Sequence, residues 1–187
     1  MKLDYKFKTV PFEHQIQALG CSWEKEAFAY FMEMGTGKSK VLIDNLAILY
    51  DKGRINAALI VSPKGVYTNW KSEQIQAHMP EHVVYKIIVW NPNPTKKEKE
   101  EISFLFKEKD CLTLFLMNIE AFSTKKGQDI ATKFLLCHQA LFAIDESTTI
   151  KTPTAARTKA VIKLRNLSKY RRILTGSPVT KSPLDLY

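Results

Sequence analysis

The chain has 187 residues, a length that fits one domain whose core buries about 70% of the unfolded surface. Its 28 lysines and arginines outnumber 19 aspartates and glutamates, and the formal charge of +9 favours a polyanionic partner. Three isolated cysteines form no Cys-x-x-Cys pair, so neither a zinc site nor a disulfide framework is indicated. Without a charged leader or a run of roughly 18 apolar residues, we expect a soluble, cytoplasmic protein with no membrane partner.

Apolar strand candidates alternate with helical patterns along the chain. The predicted strands cover residues 27–31, 57–61, 84–90, 112–117, 140–144 and 172–175. The predicted helices cover residues 12–19, 38–52, 66–78, 95–108, 127–136 and 154–165, the first ending at Gly20. This alternation predicts an α/β domain with a mostly parallel central sheet and helices on both faces. Ligands of such domains bind at the carboxyl ends of the strands.

The loop after the first predicted strand has the chemistry of a phosphate-binding loop. Residues 32–39 read Met-Glu-Met-Gly-Thr-Gly-Lys-Ser, although the complete pattern has glycine where Met32 stands. We expect Lys38 to reach the β and γ phosphates of a nucleoside triphosphate and Ser39 to ligate Mg²⁺. The backbone N–H groups expected to face phosphate oxygens are those of Gly35, Thr36 and Gly37. The order strand, loop, helix favours nucleotide binding over an ordinary glycine turn.

Two adjacent acids follow the fifth predicted strand. The apolar run 141–144 ends in Asp145 and Glu146. A carboxylate at the end of such a strand can hold Mg²⁺, and its neighbour can polarise the attacking water as general base. We therefore interpret Lys38, Asp145 and Glu146 as the catalytic residues. An acidic pair at the start of a solvated loop is the alternative interpretation.

Five segments along the chain occur in an order known from one family. In this order they resemble the glutamine motif, motif I, motif Ia, the Asp-Glu-Ala-His motif and motif III of helicase superfamily two. Within that superfamily they are most similar to the first RecA-like motor domain of Swi/Snf-type DNA translocases. The segments are Phe12 to Gln15, residues 32–39, Ile60 to Lys64 with Asn69-Trp70, Asp145 to Lys151, and Leu174 to Pro178.

The resemblance implies roles for residues that their local pattern leaves open. Gln15 would contact the adenine of ATP, and Lys64 and Asn69 would contact the backbone of duplex DNA, while Trp70 is expected in the core. Thr175 and Ser177 would couple the nucleotide site to DNA. Without the resemblance, each of these residues could serve only as an exposed helix residue or a strand or turn terminus.

The chain departs from the family at two positions in the fourth segment. Thr148 replaces the usual histidine and Thr149 the usual arginine, so communication with motif III is expected to use different hydrogen bonds. The run Asn118-Ile119-Glu120 resembles a motif of phage-encoded relatives. It favours a phage origin, with the host cytoplasm as location.

Residues 182–187 read as the start of a helix inside which the chain stops. Because motors of this family need a second RecA-like lobe, whose arginines complete the ATP site, we expect residues 1–187 to be the first lobe of a longer translocase. Alone, it would hydrolyse ATP weakly or not at all. The alternatives are a non-motor nucleic-acid or protein binding module with a vestigial nucleotide site, and a small-molecule kinase.

Overall fold

The fold is described from a computed structural model that defines residues 5–107, 110–146 and 155–176. Within these residues six parallel strands form one sheet, in the order β1-β6-β5-β2-β4-β3. This confirms the predicted parallel sheet, and every predicted strand is present, although β6 begins at residue 170 rather than 172. The strands are β1 (Ala27–Phe31), β2 (Ala57–Ser62), β3 (Tyr85–Val89), β4 (Leu112–Asn118), β5 (Ala140–Asp145) and β6 (Tyr170–Thr175).

Helices cover both faces of the sheet, as predicted. On one face α1, α2 and α4 enclose a core, and on the other α5, α6 and α7 enclose a second. No helix in the described ranges is long and apolar enough to cross a membrane. The helices are α1 (Glu13–Ser22), α2 (Lys38–Asp51), α3 (Tyr67–Asn69), α4 (Ile75–His78), α5 (Lys96–Ser103), α6 (Lys125–Cys137) and α7 (Ala156–Leu164).

The sequence of the central strand β2, apart from its last residue, is a continuous apolar run. Every residue of β2 is buried, because helices cover both faces of a parallel sheet. Ala58 and Ile60 pack into the core beneath α2, and Leu59 packs into the opposite core. Burying one leucine or isoleucine side chain contributes about 1.5–3 kcal/mol.

Three helix predictions were wrong in detail. The predicted helix 95–108 ends at Ser103 and is followed by a 3₁₀ turn, Phe104–Phe106. Helix α1 continues beyond Gly20 to Ser22, because Gly20 does not adopt the left-handed backbone that ends helices. The predicted helix 66–78 is interrupted by a π-helical turn, Trp70–Gln74, between α3 and α4. The interpretation of the polar segment 91–101 as a loop entering a surface helix is confirmed, since α5 begins at Lys96 and has no buried residue.

Candidate nucleotide-binding site

The carboxyl ends of three neighbouring strands bring the predicted motifs together. Phe31 at the end of β1 pairs with Thr175 of β6, and Asp145 at the end of β5 pairs with Leu174. The N–H of Met32 donates to the carbonyl of Thr175 at 3.3 Å. Because β6 lies between β1 and β5, the phosphate-loop segment and the acidic pair share one edge of the sheet, with Thr175 between them.

The loop that leaves β1 has the backbone of an anion-binding turn. Gly35 and Gly37 adopt the left-handed region at φ of 79° and 84°, where a side chain would be strained. A Cβ at position 37 would also collide with Nε2 of Gln15. Gly37 stands at the N-terminus of α2, where N–H groups lack partners within the helix and the helix dipole favours an anion.

The ammonium of Lys38 is buried at this loop. Its side chain is 8% exposed, and Nζ donates to the carbonyls of Met32 and Glu33 at 3.0 Å each. Lys38 forms no salt bridge with any residue of the described ranges. Two neutral carbonyls leave most of its charge uncompensated, which suits an anionic ligand.

The carboxylate of Asp145 is buried on the same edge. Its Oδ2 accepts a hydrogen bond from Nε1 of Trp70 at 2.9 Å, and its Oδ1 accepts one from the N–H of Glu146 at 3.1 Å. Burial raises the pKa of Asp145, whereas the hydrogen bonds from Trp70 and Glu146 and the positive charge of Lys38 lower it. Glu146 has a positive φ of 50°, a strained conformation of a kind found at functional sites.

The oxygen donors on this edge fit a magnesium ion. Ser39 supplies a hydroxyl and Asp145 a carboxylate, and Mg²⁺ in nucleotide sites is held by one or two carboxylates together with phosphates and water. In the described ranges no three or more His, Cys, Asp or Glu side chains cluster as metal ligands. The donor set therefore fits a metal that arrives with a phosphate ligand.

Helix α1 is tied to the loop between β1 and α2 by two side chains. Gln15 is buried, and its Nε2 donates to the carbonyl of Thr36 at 2.9 Å while its Oε1 accepts from the N–H of Phe12 at 3.0 Å. His14 Nε2 also lies 3.0 Å from the carbonyl of Thr36. Both polar atoms of Gln15 are thus engaged within the protein, and its adenine contact stays a prediction.

The other predicted site residues lie at the same edge or outside the described ranges. Exposed Lys64 follows β2, and half-buried Asn69 ends α3. Gly176 directly follows Thr175, and a Cβ there would lie 3.1 Å from Cγ of Met34 and 3.6 Å from Nζ of Lys38. The positions outside the described ranges are Ser177, Thr148 and Thr149.

Three contacts at the site were missed from the sequence: those of Gln15 and His14 with the carbonyl of Thr36, and that of Trp70 with Asp145. The expectation that Trp70 lies in the core is confirmed, but its hydrogen bond to Asp145 was not foreseen. The rule that a buried indole N–H finds a partner indicated that some acceptor exists. The contact of His14 with the loop had no comparable signal, because it depends on how α1 packs.

Relatives share the sequence pattern over most of this chain. Residues 26–187 match the SNF2-related domain. The helicase-like transcription factor of Mus musculus is 27% identical over 196 residues, which cover 100% of this chain and 18% of that protein. The Drosophila melanogaster homologue of SWI/SNF-related matrix-associated actin-dependent regulator of chromatin subfamily A containing DEAD/H box 1 is 30% identical over 156 residues, which cover 82% of this chain and 17% of that protein. The chain thus spans less than a fifth of the length of either relative.

Solved structures share the fold. The Sulfolobus solfataricus SWI2/SNF2 ATPase core in complex with dsDNA matches with a TM-score of 0.72 and 20% identity over 98% of this chain and 35% of that one. The UvsW helicase from bacteriophage T4 matches with a TM-score of 0.64 and 13% identity over 95% of this chain and 56% of that one. Both likenesses confirm the predicted RecA-like fold. The chain therefore belongs to the SNF2-related domain family.

Proposed function

We propose that this chain is the ATP-binding lobe of a DNA-dependent ATPase that couples ATP hydrolysis to movement on duplex DNA. One observation carries the proposal: a buried ammonium, Lys38, and a buried carboxylate, Asp145, lie at one edge of the sheet, and neither forms a salt bridge within the described ranges. Burying charge without a direct partner is costly. A bound nucleotide with its metal ion would supply both partners.

Each residue of the site has a distinct role in this proposal. Lys38 binds the β and γ phosphates, Ser39 and Asp145 hold Mg²⁺, and Glu146 takes a proton from the attacking water. Gln15 lies beside the adenine and also fixes the loop to α1. When bound, Mg²⁺ neutralises the charge that develops on the transferred phosphoryl group. The backbone N–H groups that complete the phosphate cradle belong to Gly35, Thr36 and Gly37.

Duplex DNA and a second RecA-like lobe are the proposed partners. The net charge of +9 supports a polyanionic ligand, and one structural relative is an ATPase core in complex with dsDNA. Lys64 and Asn69 contact the DNA backbone, and Thr175 with Ser177 couples that contact to the nucleotide. The second lobe supplies arginines that complete the ATP site, so residues 1–187 alone hydrolyse ATP weakly. A phage origin and a location in the host cytoplasm remain predictions.

Binding of a fluorescent ATP analogue with Mg²⁺ tests the proposal. Lys38→Ala removes charged hydrogen bonds worth about 1.5–3 kcal/mol each, so we expect roughly 100-fold weaker binding. Lys52→Ala, at the exposed end of the same helix, is the matched control and should bind as the wild type does. Equal affinity of Lys38→Ala and wild type would refute the site. DNA binding that is independent of nucleotide and steeply salt-dependent, without ATP binding, would favour the vestigial module instead.

A further inference from the structure

The indole of Trp70 makes a hydrogen bond that the roles assigned above do not use. The side chain is 1% exposed, and its Nε1 donates to Oδ2 of Asp145 at 2.9 Å. The other carboxylate oxygen, Oδ1, accepts from the N–H of Glu146 at 3.1 Å. With one donor on each oxygen, the Asp145 carboxylate is held in one orientation. A phenylalanine at position 70 would keep an aromatic ring in the core but would leave Oδ2 without this donor.

The backbone at Trp70 is built to place this side chain. The N–H of Ile75 donates to the carbonyl of Trp70, a bond across five residues that defines the π-helical turn. Five residues of a regular α-helix rotate a side chain by roughly 140°, so Trp70 and Ile75 would face different directions. The wider π turn brings both into the same core, where each is at most 1% exposed. Such turns occur frequently at functional sites.

The segment before Trp70 carries the residues proposed to contact DNA. Hydrogen-bonded turns link it to the end of β2: the N–H of Val66 donates to the carbonyl of Pro63 at 3.0 Å, and that of Asn69 donates to the carbonyl of Val66 at 3.1 Å. Asn69 immediately precedes Trp70 in the chain. A displacement of the Pro63-to-Asn69 segment therefore reaches Asp145 through the side chain of Trp70.

We propose that Trp70 is a positioning residue, which orients the Asp145 carboxylate for Mg²⁺ and transmits to it the contact of the Pro63-to-Asn69 segment with a nucleic-acid backbone. The inference rests on the proposed function, because it needs a nucleotide and metal at this edge. Trp70 touches neither substrate nor metal in this arrangement. It acts through the one hydrogen bond to Asp145.

A pair of matched variants tests the positioning role. Trp70→Phe removes the N–H donor and keeps an aromatic ring, and Trp90→Phe does the same in the opposite core as a control. The measurement is ADP affinity over a series of Mg²⁺ concentrations and in EDTA. We expect Trp70→Phe to raise the Mg²⁺ concentration at half-maximal affinity about 10-fold, the effect of losing one hydrogen bond to a charged group. Its affinity in EDTA and the behaviour of Trp90→Phe should match the wild type.

The transmission role is tested by adding a short duplex DNA to the same titrations. In the wild type the duplex should shift the Mg²⁺ midpoint, which is the Mg²⁺ concentration at half-maximal ADP affinity. In Trp70→Phe this shift should disappear. A Trp70→Phe midpoint equal to that of the wild type overturns the positioning role, and a DNA shift retained in that variant overturns the transmission role. A wild type without Mg²⁺-dependent nucleotide binding refutes the proposed function itself, and the role of Trp70 falls with it.

A second readout remains if Trp70→Phe does not fold. The chain has three tryptophans. The double variant Trp23→Phe/Trp90→Phe removes two of them and keeps Trp70. Its indole emission should shift when Mg²⁺ and ADP bind, because the carboxylate that accepts the indole N–H is the proposed metal ligand. Unchanged emission on saturation with Mg²⁺ and ADP would contradict the inference.

Discussion

Two lysines in the first turn of α2 are both buried, yet their ammonium groups meet different partners. Lys40 forms a 2.7 Å salt bridge with Asp44, whose second oxygen accepts from the hydroxyl of Tyr5 at 3.1 Å. Within the described ranges Lys38, two residues earlier, donates to the main-chain carbonyls of Met32 and Glu33. In the same ranges Asp145 accepts from Trp70 and Glu146. We call the first set, Tyr5, Lys40 and Asp44, the paired cluster, and the second, Lys38, Trp70 and Asp145, the open cluster.

Under the proposed function, the difference separates charges that serve the fold from charges that would serve a ligand. In the paired cluster each charge has its counter-charge at hydrogen-bonding distance, so the protein itself offsets part of the cost of burial. In the open cluster opposite charges lie near one another without a direct bond, and the lysine loop and the acidic strand end stay available to a third group. Sites of this kind sacrifice stability for function. Mutations in the two clusters should therefore affect different measurements.

The largest expected effect is on stability, from Lys40→Met. Removing one partner of a buried pair leaves Asp44 unpaired, which should lower the free energy of unfolding by about 3–5 kcal/mol. Nucleotide affinity should stay at the wild-type value, because Lys40 contacts Asp44 rather than the loop. Urea unfolding measures the loss of stability, and an ADP titration measures nucleotide affinity. A loss of ADP affinity in the folded variant would contradict the distinction between the two clusters.

Lys40→Met should also change how the stability of the protein depends on pH. Burial raises the pKa of Asp44 above its ordinary value of 3.8, and Lys40 opposes that rise. Without Lys40 the folded-state pKa rises further. A carboxyl whose pKa is raised by folding contributes stability that is present below the unfolded pKa and lost as pH rises through the folded pKa. The stability deficit of Lys40→Met should thus be larger at pH 8 than at pH 4, and the double variant Lys40→Met/Asp44→Asn should lose this pH dependence.

A smaller effect is expected from Gly176→Ala, which probes the open cluster from β6. The added Cβ would lie 3.1 Å from Cγ of Met34 and 3.6 Å from Nζ of Lys38, a tight fit costing about 1 kcal/mol. ADP affinity should fall about fivefold, because the added Cβ would also lie 3.3 Å from the main-chain N of Met34 and the loop would have to shift. Gly20→Ala is the control, since a Cβ there meets nothing within 4 Å. Equal ADP affinity in the two alanine variants would show that Gly176 does not touch the site.

Features that depend on residues close together in the sequence could be predicted, whereas contacts between distant residues could not. The strands and the loop after β1 depend on local sequence: apolar runs define strands such as β5, and Gly35 and Gly37 mark the left-handed turns. The acidic pair follows β5 directly. Because parallel strands end at one edge of a sheet, the meeting of Lys38 with Asp145 also followed from the pattern.

The rest depended on packing that no local pattern encodes. The hydrogen bond from Trp70 to Asp145 joins residues 75 positions apart and requires a π-helical turn where the apolar spacing predicted a regular helix. Gln15 engages the loop rather than standing free, because α1 packs against α2 and against the loop. Gly20 looked like a helix end, but the backbone there stays helical and α1 continues.

The most direct test of the central claim compares two buried aspartates. Calorimetry of ATP binding with and without Mg²⁺ should show that folded Asp145→Asn loses the gain in affinity that Mg²⁺ brings. Asp44→Asn should keep the Mg²⁺ effect and lose stability instead, because Lys40 is left without its partner. Asp145→Asn that binds ATP with the wild-type dependence on Mg²⁺ would contradict the account.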